Sequence, residues 1–399
     1  MKKMLQFALG LTLSIILLAA SITGYSQGVT TAAIRGLVTG DDGVGLPGAT
    51  IIAIHVPSGT TYGASTRSDG KYNLPNLRVG GPYEVTVTFI GFTEQKLEGL
   101  QLSLGQNLTM NFDLKEDVAS LEEIVITANS GVIDSDRTGP ETRIDNEQLM
   151  IMPTITRSAS DIYRLTPQAS GNSFGGRNNQ YNNFSLDGSI FNNPFGLDAA
   201  TPGGQTNSQP ISLDAIDQIQ VSIAPFDVSQ SGFTGASINA VTKSGTNKFS
   251  GTVYGFFRNE AMTGSKVSGE DIFVPSLNQV QTGLSIGGPI IKDKLFFFAN
   301  FELERREDAG SNYIAARPGL TGSQVSRVSA ADLDLVSTTL AGLGYTTGPY
   351  EGYTHRTDNQ KGIIKLDWNI NKNHTLSATY NFLDASRRSE EHTSELQSR

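Results

Sequence analysis

The pattern that most limits what this chain can become is a period-two alternation of apolar and polar residues, recurring in strand-length runs along most of its length. Beyond the first twenty positions no stretch approaches the ~18 consecutive apolar residues of a membrane-spanning helix. Any later membrane contact therefore has to use strands. Five runs follow residue 247: Lys248 to Arg258, Gln279 to Ile290, Lys294 to Glu304, Lys361 to Ile370 and Asn373 to Leu383. In three of them the two faces are distinct. Leu295, Phe297, Ala299, Phe301 and Leu303 oppose Asn300, Glu302 and Glu304; Ile364, Leu366, Trp368 and Ile370 oppose Lys365, Asp367 and Asn369; Leu376, Ala378, Tyr380 and Phe382 oppose Thr375, Ser377, Thr379 and Asn381. One lipid-facing and one lumen-facing side is the signature of a transmembrane β-barrel. The connections alternate as such a barrel requires, long at 259–278, short at 291–293, long at 305–360 and short at 371–372.

The chain opens differently. Lys2 and Lys3 precede an apolar run from Leu5 to Ala20, and small residues at Gly24 and Ser26 suit cleavage before Gln27, so residues 1–26 read as a signal peptide. From Val29 to Lys115 short alternating strands are punctuated by turn residues. Thr50, Ile52, Ile54 and Val56 alternate with Ile51, Ala53 and His55, and Leu108, Met110, Phe112 and Leu114 with Thr109, Asn111, Asp113 and Lys115. That spacing predicts an antiparallel sandwich of about seven strands.

Composition removes several functions. A net charge of −9 gives no extended positive field for a phosphate backbone, so nucleic acid is not an expected partner. With no cysteine there is no disulfide framework, thiolate zinc site, iron–sulfur cluster or cysteine nucleophile. The four histidines, His55, His355, His374 and His392, lack any metal-ligand spacing, so no metal, cofactor or catalytic residue is expected and the chain does not read as an enzyme. Gly43 to Gly48 satisfies G-x-G-x-x-G but leads into a β-branched strand, whereas phosphate binding requires a following helix. Gly171-Asn172-Ser173-Phe174-Gly175 satisfies G-x-S-x-G but runs on into polar Arg177, Asn178 and Asn179, not into a helix; a secreted hydrolase would rest on that motif alone.

Several motifs carry a resemblance. Gly45-Leu46-Pro47-Gly48-Ala49, Asp69-Gly70-Lys71-Tyr72 and Gly81-Pro82-Tyr83 resemble the carboxypeptidase-regulatory-like domain, a transthyretin-like sandwich. A linker, 116–129, contains Leu121-Glu122-Glu123-Ile124-Val125-Ile126-Thr127. By its residues this is most simply an edge strand, or a strand that adds to a partner's sheet. By its position it resembles the TonB box of TonB-dependent outer-membrane receptors of the Bacteroidetes type. In 130–247, Arg177-Asn178-Asn179-Gln180, Phe184-Ser185-Leu186-Asp187-Gly188, Ile219-Gln220-Val221 and Gly235 to Thr246 resemble plug-domain motifs. Ala224-Pro225-Phe226-Asp227-Val228 with Gly232-Phe233-Thr234-Gly235 is closest to the Oar-like branch; a Gly-Tyr-Gly run after the TonB box, usual in SusC-like glycan importers, is replaced by Ala128-Asn129-Ser130-Gly131.

The resemblance implies a mainly β protein: transthyretin-like β-sandwich in the periplasm, α/β plug domain, then the first strands of an incomplete transmembrane β-barrel in the cell outer membrane. It implies an extracellular ligand, with Arg177, Asn178, Asn179 and Gln180 as plug-loop candidates for contacting it, and coupling through Glu122, Glu123, Ile124, Val125, Ile126 and Thr127 to TonB with its ExbB–ExbD motor. Peptide or protein, siderophore and glycan all stay open as ligands, and a surface lipoprotein is a further possible partner. The reading from a different class is an outer-membrane adhesin or scaffold without transport. A plugged barrel needs about 22 strands, more than residues 248–399 can supply, so an N-terminal fragment is expected, with 248–387 as its first barrel strands. Residues 388–399 break the alternation, and back-translation of Arg388 to Ser398 is compatible with a short-read sequencing adapter, so this tail is expected not to be native sequence.

Overall fold

The computed structural model describes residues 28–117, 124–127, 141–192, 201–206, 208–223, 233–322, 324–371 and 374–388. The expected signal peptide, Glu122 and Glu123, the Ala224 to Val228 motif and residues 389–399 lie outside them. No helix among the described residues is long and apolar enough to cross a membrane, which says nothing of a β-barrel.

The sandwich is built from β1 (Ala32–Thr39), β2 (Thr50–His55), β3 (Thr60–Ser65), β4 (Lys71–Leu77), β5 (Gly80–Thr88), β6 (Gln95–Leu102), β7 (Asn107–Thr109), β8 (Phe112–Asp113) and β9 (Ile124–Thr127). One sheet has the order β4-β1-β7, with β8 also on β1, and the other β3-β2-β5-β6-β9. Alternation sets the core: Ile51, Ala53, Val85 and Val87 turn inward to meet Ile34, Val38, Leu74 and Leu114, while Ile52 and Val56 stay at the surface. The expected all-antiparallel sheet needs correction. β7 and β8 join β1, and β9 joins β6, in parallel. Each arrives through a connection instead of a tight hairpin, and only a hairpin forces neighbours to run antiparallel. The long strand expected around 108–115 is split at Met110, whose carbonyl accepts from the Tyr72 hydroxyl at 2.8 Å and passes over Gly36, where any Cβ would overlap it.

The plug follows. β10 (Glu141–Ile144) leads through the Asp145/Gln148 capping box into the helix Asn146–Ile151, then the helix Ala159–Tyr163 and a small hairpin, β11 (Ala169–Ser170) with β12 (Ser173–Phe174). β13 (Asn183–Leu186), β14 (Ser189–Ile190), β15 (Ile216–Ile223) and β16 (Ala236–Thr242) complete a sheet of order β10-β15-β16-β13-β14. Every residue of β16 is buried: Ala236, Ile238 and Ala240 lie in the plug's core cluster with the helices and with Phe298 and Ile363 of the wall, and Val241 on the opposite face packs against Val79 and Leu104 of the sandwich.

That wall is an antiparallel meander of β17 (Ser250–Asn259), β20 (Leu277–Ile291), β21 (Leu295–Ala309), β24 (Thr354–Asn371) and β25 (His374–Arg388), in sequence order and not closed. The connections carry β18 (Lys266–Val267) with β19 (Glu270–Asp271), β22 (Ile314–Ala316) with β23 (Val325–Ser329), and the helix Ala330–Gly342. In two of the three two-faced runs the apolar residues point out, with Ile364, Leu366, Trp368, Ile370, Leu376 and Tyr380 all exposed; in the third Leu303 is exposed and Leu295, Phe297, Ala299 and Phe301 are half-buried. The strands exceed their alternating runs. β21 continues to Ala309 and β24 starts at Thr354, because backbone pairing of Arg305 to Ala309 with Thr354 to Asp358 carries the ladder past the apolar band. The loop expected over all of 305–360 is therefore shorter. β25 likewise runs on to Arg388, which pairs with Arg356.

Candidate functional site

Where the plug meets the wall, alternation sends Gln281 of β20, Glu302 of β21 and Lys361 of β24 to the same inner side. Glu302 and Lys361 are 1% and 2% exposed, an ion pair of 2.9 Å removed from water. A buried carboxylate is tolerable only when its lone pairs are occupied. Glu302 meets that condition: it accepts from Gln281 at 2.7 Å, from the Tyr254 hydroxyl at 2.5 Å and from the Ser212 hydroxyl at 2.6 Å. Ser212 belongs to the plug, just before β15, so a plug hydroxyl completes a charged cluster of the wall. Next to it Glu304 accepts from Gln279 and Asn359, and Asn359 also donates to plug Ser208. The Arg157 guanidinium of the plug lies 3.7 Å from the ring centre of Phe256, a cation–π contact with the wall.

A second junction forms around the β13–β14 turn. Asp187 (φ 46°) and Gly188 (φ 81°) are the two central residues of a two-residue hairpin, both left-handed as a type I′ turn demands. The turn exposes the Asp187 carboxylate, which accepts from the Thr242 amide at 2.9 Å and its hydroxyl at 2.6 Å. From the wall, Lys365 Nζ approaches Asp187 to 3.3 Å and Thr379 donates to it at 3.1 Å. Apolar contact joins the same parts, since Phe298 and Ile363 of the wall belong to the plug's core cluster. Such an interface of satisfied charges and hydroxyls around a small apolar centre resists displacement, yet can be rehydrated if the plug moves.

The sequence candidates are divided. Arg177, Asn178 and Gln180 are exposed on the loop after β12, with Asn178 capping a short 3-10 turn by accepting from the Gln180 amide at 3.0 Å. The adjacent asparagines do something else. Asn182 is buried, accepting from Ala236 and donating to Asn172, and Asn183 accepts from Asn192, so these two are scaffold. Of the segment expected to couple to TonB, Ile124, Val125, Ile126 and Thr127 form β9, paired with Gln95 to Glu98 of β6. Sequence reasoning gave an edge strand as the simplest reading of these residues, and the structure supplies its neighbour, β6 of the sandwich. The G-x-S-x-G serine, Ser173, sits in the β11–β12 hairpin, with no strand-to-helix elbow around it. Among the described residues no cluster of three or more histidine, aspartate or glutamate side chains has the arrangement of a metal site.

Sandwich, buried-core plug and outward-apolar strand meander together make a mainly β architecture whose last sheet has the two-faced alternation of a membrane β-barrel. Comparison with known proteins agrees with it. Residues 33–115 match the carboxypeptidase regulatory-like domain and residues 241–322 an outer membrane beta barrel domain. The TonB-dependent transporter Oar of Myxococcus xanthus is 27% identical over 255 residues, 59% of this chain and 23% of that protein. The TonB-dependent receptor P39 of Formosa agariphila is 26% identical over 140 residues, 35% of this chain and 12% of that protein. These matches bear out the resemblance to TonB-dependent receptors, and the chain spans less than a quarter of the length of either relative. Among solved structures, the siderophore receptor PirA from Acinetobacter baumannii aligns with 62% of this chain and 31% of its own at 18% identity and a TM-score of 0.39. The outer membrane transporter YddB from Escherichia coli aligns with 64% and 34% at 14% identity and 0.44. Likeness at that score carries no functional argument.

Proposed function

We propose that the chain belongs to a receptor that binds an extracellular ligand and imports it through the outer membrane with energy supplied through TonB. The observation that carries this reading is a plug whose core includes Phe298 and Ile363 of the wall, tethered through residues 128–140 to a short edge strand suited to pairing with a partner. In this reading residues 1–26 direct export, 29–115 stand in the periplasm, 116–129 carry the coupling segment, 130–247 form the plug and 248–387 open the barrel. Glu122 to Thr127 receive TonB, driven by ExbB–ExbD, and Arg177 to Gln180 meet the ligand.

Replacing Val125 with proline in the full-length receptor removes a backbone donor from the coupling strand and constrains the residue before it. The variant is expected to reach the outer membrane in normal amount yet to lose binding of the purified TonB C-terminal domain, measured by calorimetry. Binding at wild-type strength would sink the assignment of the coupling segment. A receptor that binds TonB in neither form would favour the adhesin or scaffold reading.

A further inference from the structure

The sandwich touches two bodies that must part if the plug moves. On the wall side, the Arg78 guanidinium meets Asp367 of β24 at 3.1 Å, Asn369 of β24 donates to the Thr60 hydroxyl at 2.9 Å, and the amide of Asn247, between plug and wall, donates to the Pro57 carbonyl at 2.8 Å. Arg78 is held in place for this: its amide donates to the Tyr62 hydroxyl at 3.3 Å, its carbonyl accepts from the buried Tyr83 hydroxyl at 2.7 Å, and Asp367 is steadied by Ser377 at 2.7 Å. On the plug side, the Leu104 amide donates to Gln218 of β15 at 2.7 Å, Gln218 donates back to the Leu102 carbonyl, and the Gly28 amide donates to Gly188 of the β13–β14 turn at 2.9 Å. Val79 and Leu104 of the sandwich and Val241 of the plug close a separate apolar cluster at this junction.

We propose that the sandwich is a latch: by gripping plug and wall at once it holds the plug in register with the barrel, and its release from Asp367 and Asn369 precedes plug displacement. The coupling strand strengthens the case, because β9 lies in the sandwich's own sheet, on β6. A pull on β9 therefore loads the sandwich as well as the plug. The inference rests on the import reading only in taking the plug as the moving part.

The test is hydrogen exchange of the plug strands 216–223 and 236–242 in the full-length receptor in lipid nanodiscs, with neither ligand nor TonB. Arg78→Gln with Thr60→Ala, both on the sandwich, should speed plug exchange about tenfold, the consequence of losing one partly buried ion pair and one neutral hydrogen bond. Exchange in the sandwich core at 51–53 and 83–87 should not change. A Thr60→Cys/Asn369→Cys pair, added to residues 1–399 that carry no cysteine of their own, should slow plug exchange below wild type when oxidised and return it on reduction, with each single cysteine variant leaving plug exchange as in wild type under the same oxidation. Plug exchange equal to wild type in both variants overturns the latch. If the sandwich core also exchanges faster in the first variant, the disulfide decides alone, unchanged plug exchange again overturning the proposal. Failure of the import reading would show separately, as absent TonB binding with these exchange rates unaltered.

Discussion

His55 is 5% exposed, its ring 5.0 Å from that of Tyr83 and its Nδ1 2.7 Å from Ser58 Oγ. Burial first, and the nearby Arg78 charge second, push its pKa down to about 3, so the folded sandwich keeps it neutral. The unfolded chain takes up a proton near pH 6.5 and the folded one does not, so stability rises with pH between these values and is lost as pH falls. Between pH 7 and pH 4.5 the sandwich should lose roughly 2 to 3 kcal/mol from this group, at about 1.4 kcal/mol per unit. Urea denaturation of residues 29–115 at the two pH values checks it, and His55→Gln should remove most of the difference. Alternation had put His55 on one side of β2 with Ile51 and Ala53; that this side is the inner one depends on the opposing sheet.

β21 and β24 show what alternation specifies and what it leaves open. The polar sides of both strands, with Glu302, Lys365 and Asp367, are evident along the chain, but the partners are not. Glu302 meets Lys361 because register pairs these two residues directly across the strands. Lys361→Met in the full-length receptor leaves a buried carboxylate without its cation and should cost about 3 kcal/mol. Lys361→Met with Glu302→Leu should recover much of that loss, since an apolar pair of similar volume has no desolvation penalty. Thermal unfolding in detergent micelles, followed by the shift in electrophoretic mobility of the folded barrel, measures both; a single variant as stable as wild type would refute the charge-pair account.

In the complete molecule the cores are not equivalent. The sandwich cluster is made only of residues between Ala32 and Leu114, whereas the plug cluster borrows Phe298 and Ile363 from the wall. Residues 29–115 alone should therefore give a soluble β-domain with a single cooperative transition in circular dichroism and urea titration. Residues 248–387 alone should not, because an unclosed meander leaves open strand edges and exposed apolar residues such as Val253, Leu284 and Leu376. A soluble, cooperative fold for 248–387 would contradict the membrane reading.

Local chemistry along the chain was enough to specify the strands, the turns and the faces. Leu366 and Trp368 outward and a short β-strand at Ile124 to Thr127 both follow from side-chain period and backbone preference, which act over a few residues. Contacts across long separations in sequence were decided only by the tertiary structure. Asn182 and Asn183 are scaffold because Ala236 and Asn192 lie against them, Ser212 matters because Glu302 faces it ninety positions later, and Arg78 matters because Asp367 stands at the edge of the wall. Pattern reports which way a side chain points; a buried ion pair or a latch depends on which second chain segment arrives there, and that is set by how sandwich, plug and wall pack.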